Sequence, residues 1–507
     1  MKNKVLLAAK SSVIEPLGLI YLTGVCDQEG WESKIFLVPN HDFSTLNSFL
    51  RDFNPDILGF TLYTGNHLQT FNYLDKVRAE KPNLKVVLGG PHATYFPEEC
   101  IKHSDFVVLS QGFNGLRRIL RNEAEQGIVH LTQQEEFPPI NREGFYKDST
   151  PHRNSKIKSV IASTGCPYSC TYCYNDSSID VISSVISPEK LSEMIGALGD
   201  SSRLFPRNQR TVEEVVSEVR HILDISPETK VIYFQDDVFG SDIEWMRNFS
   251  RAYKGMVPFH AQTRFEYADP ERSYGKERID LLKEAGCSGL TFAIESANPI
   301  IREEVLNRTM EEDLIFRVLH NLNKLKFKVR TEQMLGLPYG ATTKETPIGL
   351  DADLETLSLN VRLRKETGLP TVPWASIFAP YRNTTIGNYC RDHGFYRGIN
   401  DDIPDTFFER SVLTFPSHWV GPSLSPKNNQ DWLSPEALEQ HRDKLSFLRD
   451  HFDYFALLDR GDEFARKFFN GNDPSLFSID PSKRKLDFAL STAIRSHLYD
   501  SVLYEVE

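Results

Sequence analysis

The stretch that decides the fold is VIASTGCPYSCTYCY, residues 160–174. A short apolar run ends at Ser163, a Thr-Gly turn follows, and three cysteines then fall within eight positions, Cys166, Cys170 and Cys173, spaced C-x3-C-x2-C. Three thiolates on one short loop can wrap one face of a metal or cluster, and soft sulfur ligands suit iron–sulfur clusters or zinc. Three protein ligands leave one coordination position open, the arrangement that lets a catalytic centre take a substrate or cofactor. A zinc site completed by a fourth ligand such as His152 or His221 is the rival reading, and three unrelated thiols is the bland one. With only seven cysteines in 507 residues, chance is a poor account of the clustering.

Downstream of the loop, strand and helix patterns alternate. Strands are expected at 159–163, 231–234, 259–264, 289–294, 326–334 and 374–379, separated by helices at 243–253, 277–285, 299–306, 312–325 and 346–367. Val212, Val215, Val216, Val219, Ile222 and Leu223 form an amphipathic stripe between the first two strands. Such an array has six βα units, short of the eight of a closed barrel. Upstream, apolar runs at 5–9, 34–38, 57–63, 85–88 and 106–109 alternate with helix-period segments. Continuous apolar strands interleaved with helices predict a parallel sheet covered on both faces. The polar, Pro-containing stretch 131–158 reads as a linker. From about 395 the alternation stops in favour of an aromatic-rich region with two helices over 434–469, broken near Gly461. The expected organisation is α/β: a doubly wound, Rossmann-like domain over 1–130, the linker, a partial (β/α)6 barrel over 159–394 and a mainly helical region over 395–507.

Composition narrows the class. The length corresponds to about 3.4 average domains, and 40% hydrophobic with 25% charged residues is globular rather than disordered. Fifty-eight basic against seventy acidic residues give a net charge of −12, which argues against a nucleic-acid partner. Seven cysteines are odd and few, so a disulfide framework is not expected. The apolar run in the first residues is too short for a secretory signal, and no run approaches a membrane span. A reducing, cytoplasmic setting is the expectation.

The cysteine spacing, with Tyr172 before the last cysteine and a strand before the first, resembles the signature of the radical S-adenosylmethionine (SAM) superfamily. The resemblance implies a [4Fe-4S] cluster on Cys166, Cys170 and Cys173, with SAM on the fourth iron and cleaved to a 5′-deoxyadenosyl radical. It implies a partial (β/α)6 barrel, in accord with the six units counted. Several strand ends resemble the family's SAM-binding segments. Asp236 and Asp237, after the second strand, are placed for the SAM ammonium, and Arg264 for its carboxylate. Glu295, in Phe292–Ser296, resembles the segment near the ribose, although a glycine is usual where Ala293 stands. Gly336 and Pro338, in Leu335–Gly340, resemble the turn beside the adenine. Residues 379–384 depart from the Pro-Gly-Thr that relatives carry. The resemblance spans about 160–390.

Val86–Thr94, with adjacent Gly89 and Gly90, together with Pro16–Leu22, is similar to the cobalamin (B12)-binding members of that superfamily. That extends the resemblance to about 1–390 and implies a cobalamin site at Thr61, Thr64, Gly89, Gly90 and His92. Two departures stand out. No Asp lies two positions before any of the fourteen histidines, so the D-x-H-x-x-G motif is absent. Where relatives carry an acidic Gly-Glu-Gly-Glu-like turn, this chain has Ser110-Gln111-Gly112-Phe113-Asn114. The resemblance implies a cobalamin-dependent radical SAM enzyme that methylates an unactivated carbon of a small-molecule or peptide natural product, served by an electron donor such as flavodoxin or ferredoxin. Cyclisation, rearrangement or oxidation without methyl transfer is the alternative. A non-catalytic cobalamin- or zinc-binding regulator is the third reading. An RNA methylthiotransferase fits less well, because the N-terminal region has only Cys26 and Cys100 for a second cluster. Residues 174–210, thirty-seven between Cys173 and Thr211, form an insert with a short helix expected at 188–198 and a candidate role as a lid.

Overall fold

A computed structural model describes every residue except 1, 141, 200–202, 339–349, 407–408, 416–431, 471–496, 505 and 507. Of the features expected from sequence, Tyr339, Gly340, positions 346–349, Phe407, Phe408 and Trp419 lie outside the described residues. The chain divides into two compact units, 1–168 with 174–235, and 169–173 with 236–507.

The first unit is built on six parallel strands, β1 (Lys4–Lys10), β2 (Glu32–Val38), β3 (Ile57–Thr61), β4 (Lys85–Gly89), β5 (Phe106–Val108) and β6 (Gly127–Val129), in the order β2-β1-β3-β4-β5-β6. Side chains alternate along β1. Leu6 and Ala8 enter one core with Leu46, Leu50 and Leu74, while Val5, Leu7 and Ala9 enter another with Leu19, Ile20 and Leu116. Both faces are therefore buried, which is why the strand reads as one apolar run. The strand order reverses direction at β1/β3, where doubly wound sheets open a crevice at their carboxyl ends. Strand β6 and the helix Phe113–Leu120 before it were not expected; three residues starting at a glycine carry no readable period.

Two expectations about connecting segments change. The stretch read as a linker carries the helices Arg142–Asp148 and Thr150–Asn154. Arg142 is fully buried, with Nε 2.8 Å from Glu218 Oε1, one terminal nitrogen 3.0 Å from Glu15 Oε2 and the other donating to the Ser159 carbonyl at 2.6 Å. Arg210 pairs with the second oxygen of Glu218 at 2.5 Å. Polar composition disguised this segment: its buried anchors are one charge, Arg142, and two adjacent aromatics, Phe145 and Tyr146, too few to show a period.

The insert helix Pro188–Leu198 forms as expected, capped by the Ser187 hydroxyl. Ile179, Ile182, Ile186, Met194, Leu198 and Leu204 join the core on the Leu6 face of the sheet. The Tyr174 ring stacks on Tyr95 at 3.9 Å, Tyr95 Oη donates to the Tyr174 carbonyl at 2.6 Å, and Ser110 Oγ donates to the Leu204 carbonyl at 2.7 Å. The insert is thus a packed layer of the first unit.

Parallel strands β7 (Ile157–Val160) and β10 (Val231–Phe234) also belong to this unit, with the short antiparallel pair β8 (Ser163–Thr164) and β9 (Asn208–Gln209). Between them runs the helix Val212–Ile225, started by a capping box of Thr211 and Glu214. In the second unit β11 (Phe259–Gln262), β12 (Cys287–Glu295), β13 (Lys328–Leu335) and β14 (Val372–Ile377) pair in series, all parallel. Helices Ile243–Tyr253, Gly275–Ala285, Glu312–Lys324 and Asp351–Thr367 alternate with them. Taken in chain order, β7, β10, β11, β12, β13 and β14 are the parallel strands of a half-barrel. After it, helices Pro435–Leu457 and Gly461–Asn470 bury Leu445, Phe452, Phe455 and Phe469 with Phe395 and Phe415 in an aromatic core. No helix among the described residues is long and apolar enough to cross a membrane.

Candidate functional site

In the first unit a cavity of about 210 Å³ opens at the carboxyl edge of the sheet. Its floor is apolar, from Leu7, Ile57, Val87 and Val108, and its rim carries Thr61, Tyr63, Gly89, Gly90 and Gln111. Glycine is required at the rim. Gly90 has φ +90°, and a Cβ there would lie 2.4 Å from Thr61 Oγ1 and 3.0 Å from the Leu62 nitrogen. The strand-end loops interlock instead, with Leu62 N–H donating to the Gly89 carbonyl at 2.9 Å and His92 N–H to the Leu62 carbonyl at 3.0 Å. Phe205, from the insert, is also a wall of the cavity. A glycine-edged, apolar-floored slot at the sheet's carboxyl end accepts a flat, largely apolar group brought close to backbone, and such a cradle fits part of a corrinoid.

Of the residues expected at a cobalamin site, Thr61, Gly89 and Gly90 line this cavity, whereas Thr64 and His92 do not. His92 is fully buried, with Nδ1 3.0 Å from Thr64 Oγ1 and Nε2 3.6 Å from Glu99. One participant escaped the sequence reading. Glu135 accepts from the Gly112 and Asn114 backbone N–H groups at 3.0 and 2.7 Å, and so fills the amino end of the helix Phe113–Leu120. Burial pushes its carboxyl up to about 7. An acidic group therefore sits beside this turn, although none stands in it, because it comes from 21 residues beyond Asn114.

The cysteine loop is held by backbone and side-chain bonds. In the first unit, Arg203 donates to the carbonyls of Cys166 and, at 3.1 Å, Tyr168. Gly165 has φ +73°, and a Cβ there would meet the Arg207 nitrogen at 2.8 Å. In the second unit, Cys173 N–H donates to the Cys170 carbonyl at 3.0 Å, Thr171 Oγ1 to the Val305 carbonyl at 2.6 Å and Asn307 Nδ2 to the Ser169 carbonyl at 2.8 Å. Cys170 Sγ lies 3.6 Å from an Arg264 nitrogen and 3.9 Å from an Arg308 nitrogen. Two guanidinium groups beside one sulfur complement the negative charge of a thiolate-ligated cluster. The donor set therefore fits an anionic cluster. His152, a candidate zinc ligand, has both ring nitrogens engaged, Nδ1 with Ser149 Oγ at 2.8 Å and Nε2 with the Ser12 carbonyl at 3.0 Å.

Around Cys170 the second unit gathers several of the residues expected at a SAM site. Tyr172 Oη donates to Glu295 Oε1 at 2.7 Å, and Arg308 reaches the Tyr172 hydroxyl at 3.2 Å and the Ala293 carbonyl at 2.7 Å. Burial raises the Glu295 carboxyl above its ordinary range. Glu295 also has φ +68°, a conformation of the kind that clusters at functional sites. Arg264 is occupied by a two-point pair with Glu266, at 2.8 and 3.2 Å. Asp236 is buried while the adjacent Asp237 is exposed. Gly336, φ +72°, donates its N–H to Asp353 Oδ1 at 2.9 Å, and Pro338 is buried two residues on. Arg308, Glu266 and Asp353 went unnoticed in the sequence, because each is a single charged residue in a helical or loop context where solvated charge is the usual reading.

Two family models match the chain: the B12 binding domain over residues 3–120 and the radical SAM superfamily over residues 160–344. A cytidylyl-2-hydroxyethylphosphonate methyltransferase from Streptomyces wedmorensis is 21% identical over 82% of this chain and 86% of its own length. A bacteriochlorophyllide d C-8(2)-methyltransferase from Chlorobaculum tepidum is 26% identical over 28% of this chain and 32% of its own. Among solved structures, the radical SAM methyltransferase TsrM from Kitasatospora setae, with tryptophan substrate and a SAM analogue bound, superposes with a TM-score of 0.56. The likeness covers 77% of each chain at 16% identity, and at that identity it speaks for the fold.

Proposed function

Because this chain belongs to the radical SAM enzymes that carry an N-terminal B12-binding domain, we propose that it is a cobalamin-dependent methyltransferase acting on an unactivated carbon of a small-molecule or peptide natural product. The observation that carries the reading is the presence of both modules in one chain that matches a methyltransferase over 82% of its length. When bound, the cluster with SAM supplies a 5′-deoxyadenosyl radical and cobalamin supplies the methyl group. In this reading Cys166, Cys170 and Cys173 hold the cluster, and Arg264 and Arg308 complement its negative charge beside the Cys170 sulfur. Glu295, braced by Tyr172 and Arg308, would contact SAM. Asp236, Gly336 and Pro338 line the remainder of the SAM pocket, with the exposed Asp237 at its edge. Thr61, Gly89 and Gly90 support the cobalamin, with Thr64 and His92 further along the same two loops. A flavodoxin- or ferredoxin-like protein delivers the electron.

Two measurements test it. Anaerobically reconstituted protein reduced in the presence of SAM is expected to form 5′-deoxyadenosine, and Cys170→Ala to form none. With deuterated-methyl SAM and a small-molecule extract, the label is expected in an acceptor product. A product that forms together with 5′-deoxyadenosine but carries no label would replace methyl transfer by a radical rearrangement or oxidation.

A further inference from the structure

Just beyond the loops that rim the cavity in sequence, His67, His92 and Glu99 converge, each offering one ligand atom within 4.8 Å of the others. His67 opens the helix His67–Glu80, His92 lies in the short helix Pro91–Tyr95, and Glu99 in the turn Pro97–Cys100. Both imidazoles are shut off from water, at 1% and 0% exposure, and their rings stack at 4.2 Å. Two imidazoles and a carboxylate converging at this distance form a donor set that one cation can engage at once. We propose that His67, His92 and Glu99 form a binding site for one divalent transition-metal ion, zinc by the chemistry of the ligands.

The ligand set is two imidazoles and one carboxylate, the nitrogen–oxygen donors that suit zinc, with a position left for water. His92 Nδ1 lies 3.0 Å from Thr64 Oγ1 and its Nε2 3.6 Å from Glu99 Oε2; metal binding through Nε2 puts the ring proton on Nδ1, where the Thr64 hydroxyl can accept it, as ligating histidines are commonly held by a second partner. One contact opposes the site: Gly65 N–H points at His67 Nδ1 from 3.2 Å, which places the proton of the neutral ring on Nε2. That bond is at the long end of the range, and binding through Nε2 requires it to be given up as the ring proton moves to Nδ1. One weak neutral hydrogen bond is a small loss against three metal–ligand bonds.

The placement explains what the ion does. Thr61 and Tyr63 precede His67 in one loop, and Gly89, Gly90 and Pro91 precede His92 in the other. These are the two strand-end loops that rim the cavity. An ion tying His67 to His92 fixes both loops to each other.

The test is zinc analysis and X-ray absorption on the full-length protein loaded with Zn²⁺ and freed of loose metal by gel filtration. The expected result is about one zinc per chain with only nitrogen and oxygen in its first shell. It should be retained when Cys166, Cys170 and Cys173 are all replaced by Ala, and weakened at least tenfold in Glu99→Gln and His92→Asn. The Glu99 side chain is 24% exposed, so Glu99→Gln is expected to keep the wild-type circular dichroism, which separates loss of the ion from loss of the fold. Zinc absent from the wild type, sulfur in its first shell, loss with the cysteines, or unchanged retention in Glu99→Gln would each overturn the site. None of these outcomes depends on radical chemistry.

Discussion

Asp353 shows how one buried group can set a pH dependence. Its carboxylate takes the Gly336 N–H, yet burial dominates and pushes the group up to about 7. A carboxyl held above its unfolded value binds more protons folded than unfolded, so it penalises the native state as pH rises from near 4 towards 7. The penalty is fully developed above that window and absent below it. From the size of the shift it is on the order of 4 kcal/mol at most. Asp353→Asn keeps an acceptor for Gly336 but cannot ionise. Urea unfolding at pH 5 and pH 8 should find the variant gaining stability on the wild type as pH rises. Equal differences at both pH values would mean that Asp353 is ionised at no such cost. Glu135 adds a slope of the same sign, since burial holds it near 7 as well.

At the level of elements, the legible parts were those whose burial is apolar on both faces. The strands from β1 to β5 could be read as short, mostly apolar runs, and those of the half-barrel from their place between helix-period segments, since β13, KVRTEQML, places charged residues at alternate positions. The helices Ile243–Tyr253 and Pro188–Leu198 were read to the residue, since each follows a capping Asp or Ser. The illegible parts were those whose partners are distant in sequence. Nothing local announces that Arg142 meets Glu15 and Glu218, that Glu135 caps a helix beginning at Phe113, or that Phe205 walls a cavity beneath Gly90. At the candidate sites the cysteines and the glycine pair were visible from spacing. The depth of His92 and the exposure of Asp237 were not, because alternation at a strand end depends on where the strand stops.

The insert gives the sharpest test at this scale. A surface flap tolerates truncation of an apolar side chain within about 0.5 kcal/mol. A packed layer does not, and Met194 is fully buried in the core shared with β1. Met194→Ala should therefore cost about 2–5 kcal/mol, measured as a shift of the urea midpoint at unchanged m-value. A loss under 0.5 kcal/mol would return the insert to the status of a loose flap.

At the scale of the whole molecule, two family modules share one chain, and within the first unit a buried charge network ties its segments together. Glu15 follows β1, Arg142 lies after β6, and Arg210 and Glu218 flank the start of the helix Val212–Ile225. Removing one partner from a buried network strands the others, at about 3–5 kcal/mol. Arg142→Ala should lower stability by that amount, read by urea denaturation, and a neutral outcome would mean water reaches the carboxylates. The central claim, that this chain joins a cysteine-held cluster to a cobalamin domain, is tested most directly by iron and cobalt analysis of anaerobically purified wild type and Cys170→Ala. The account predicts about four iron atoms and about one cobalt per wild-type chain, with the variant losing iron and keeping cobalt. Wild-type protein without iron or without cobalt after reconstitution, or a variant that keeps its full iron, would contradict it.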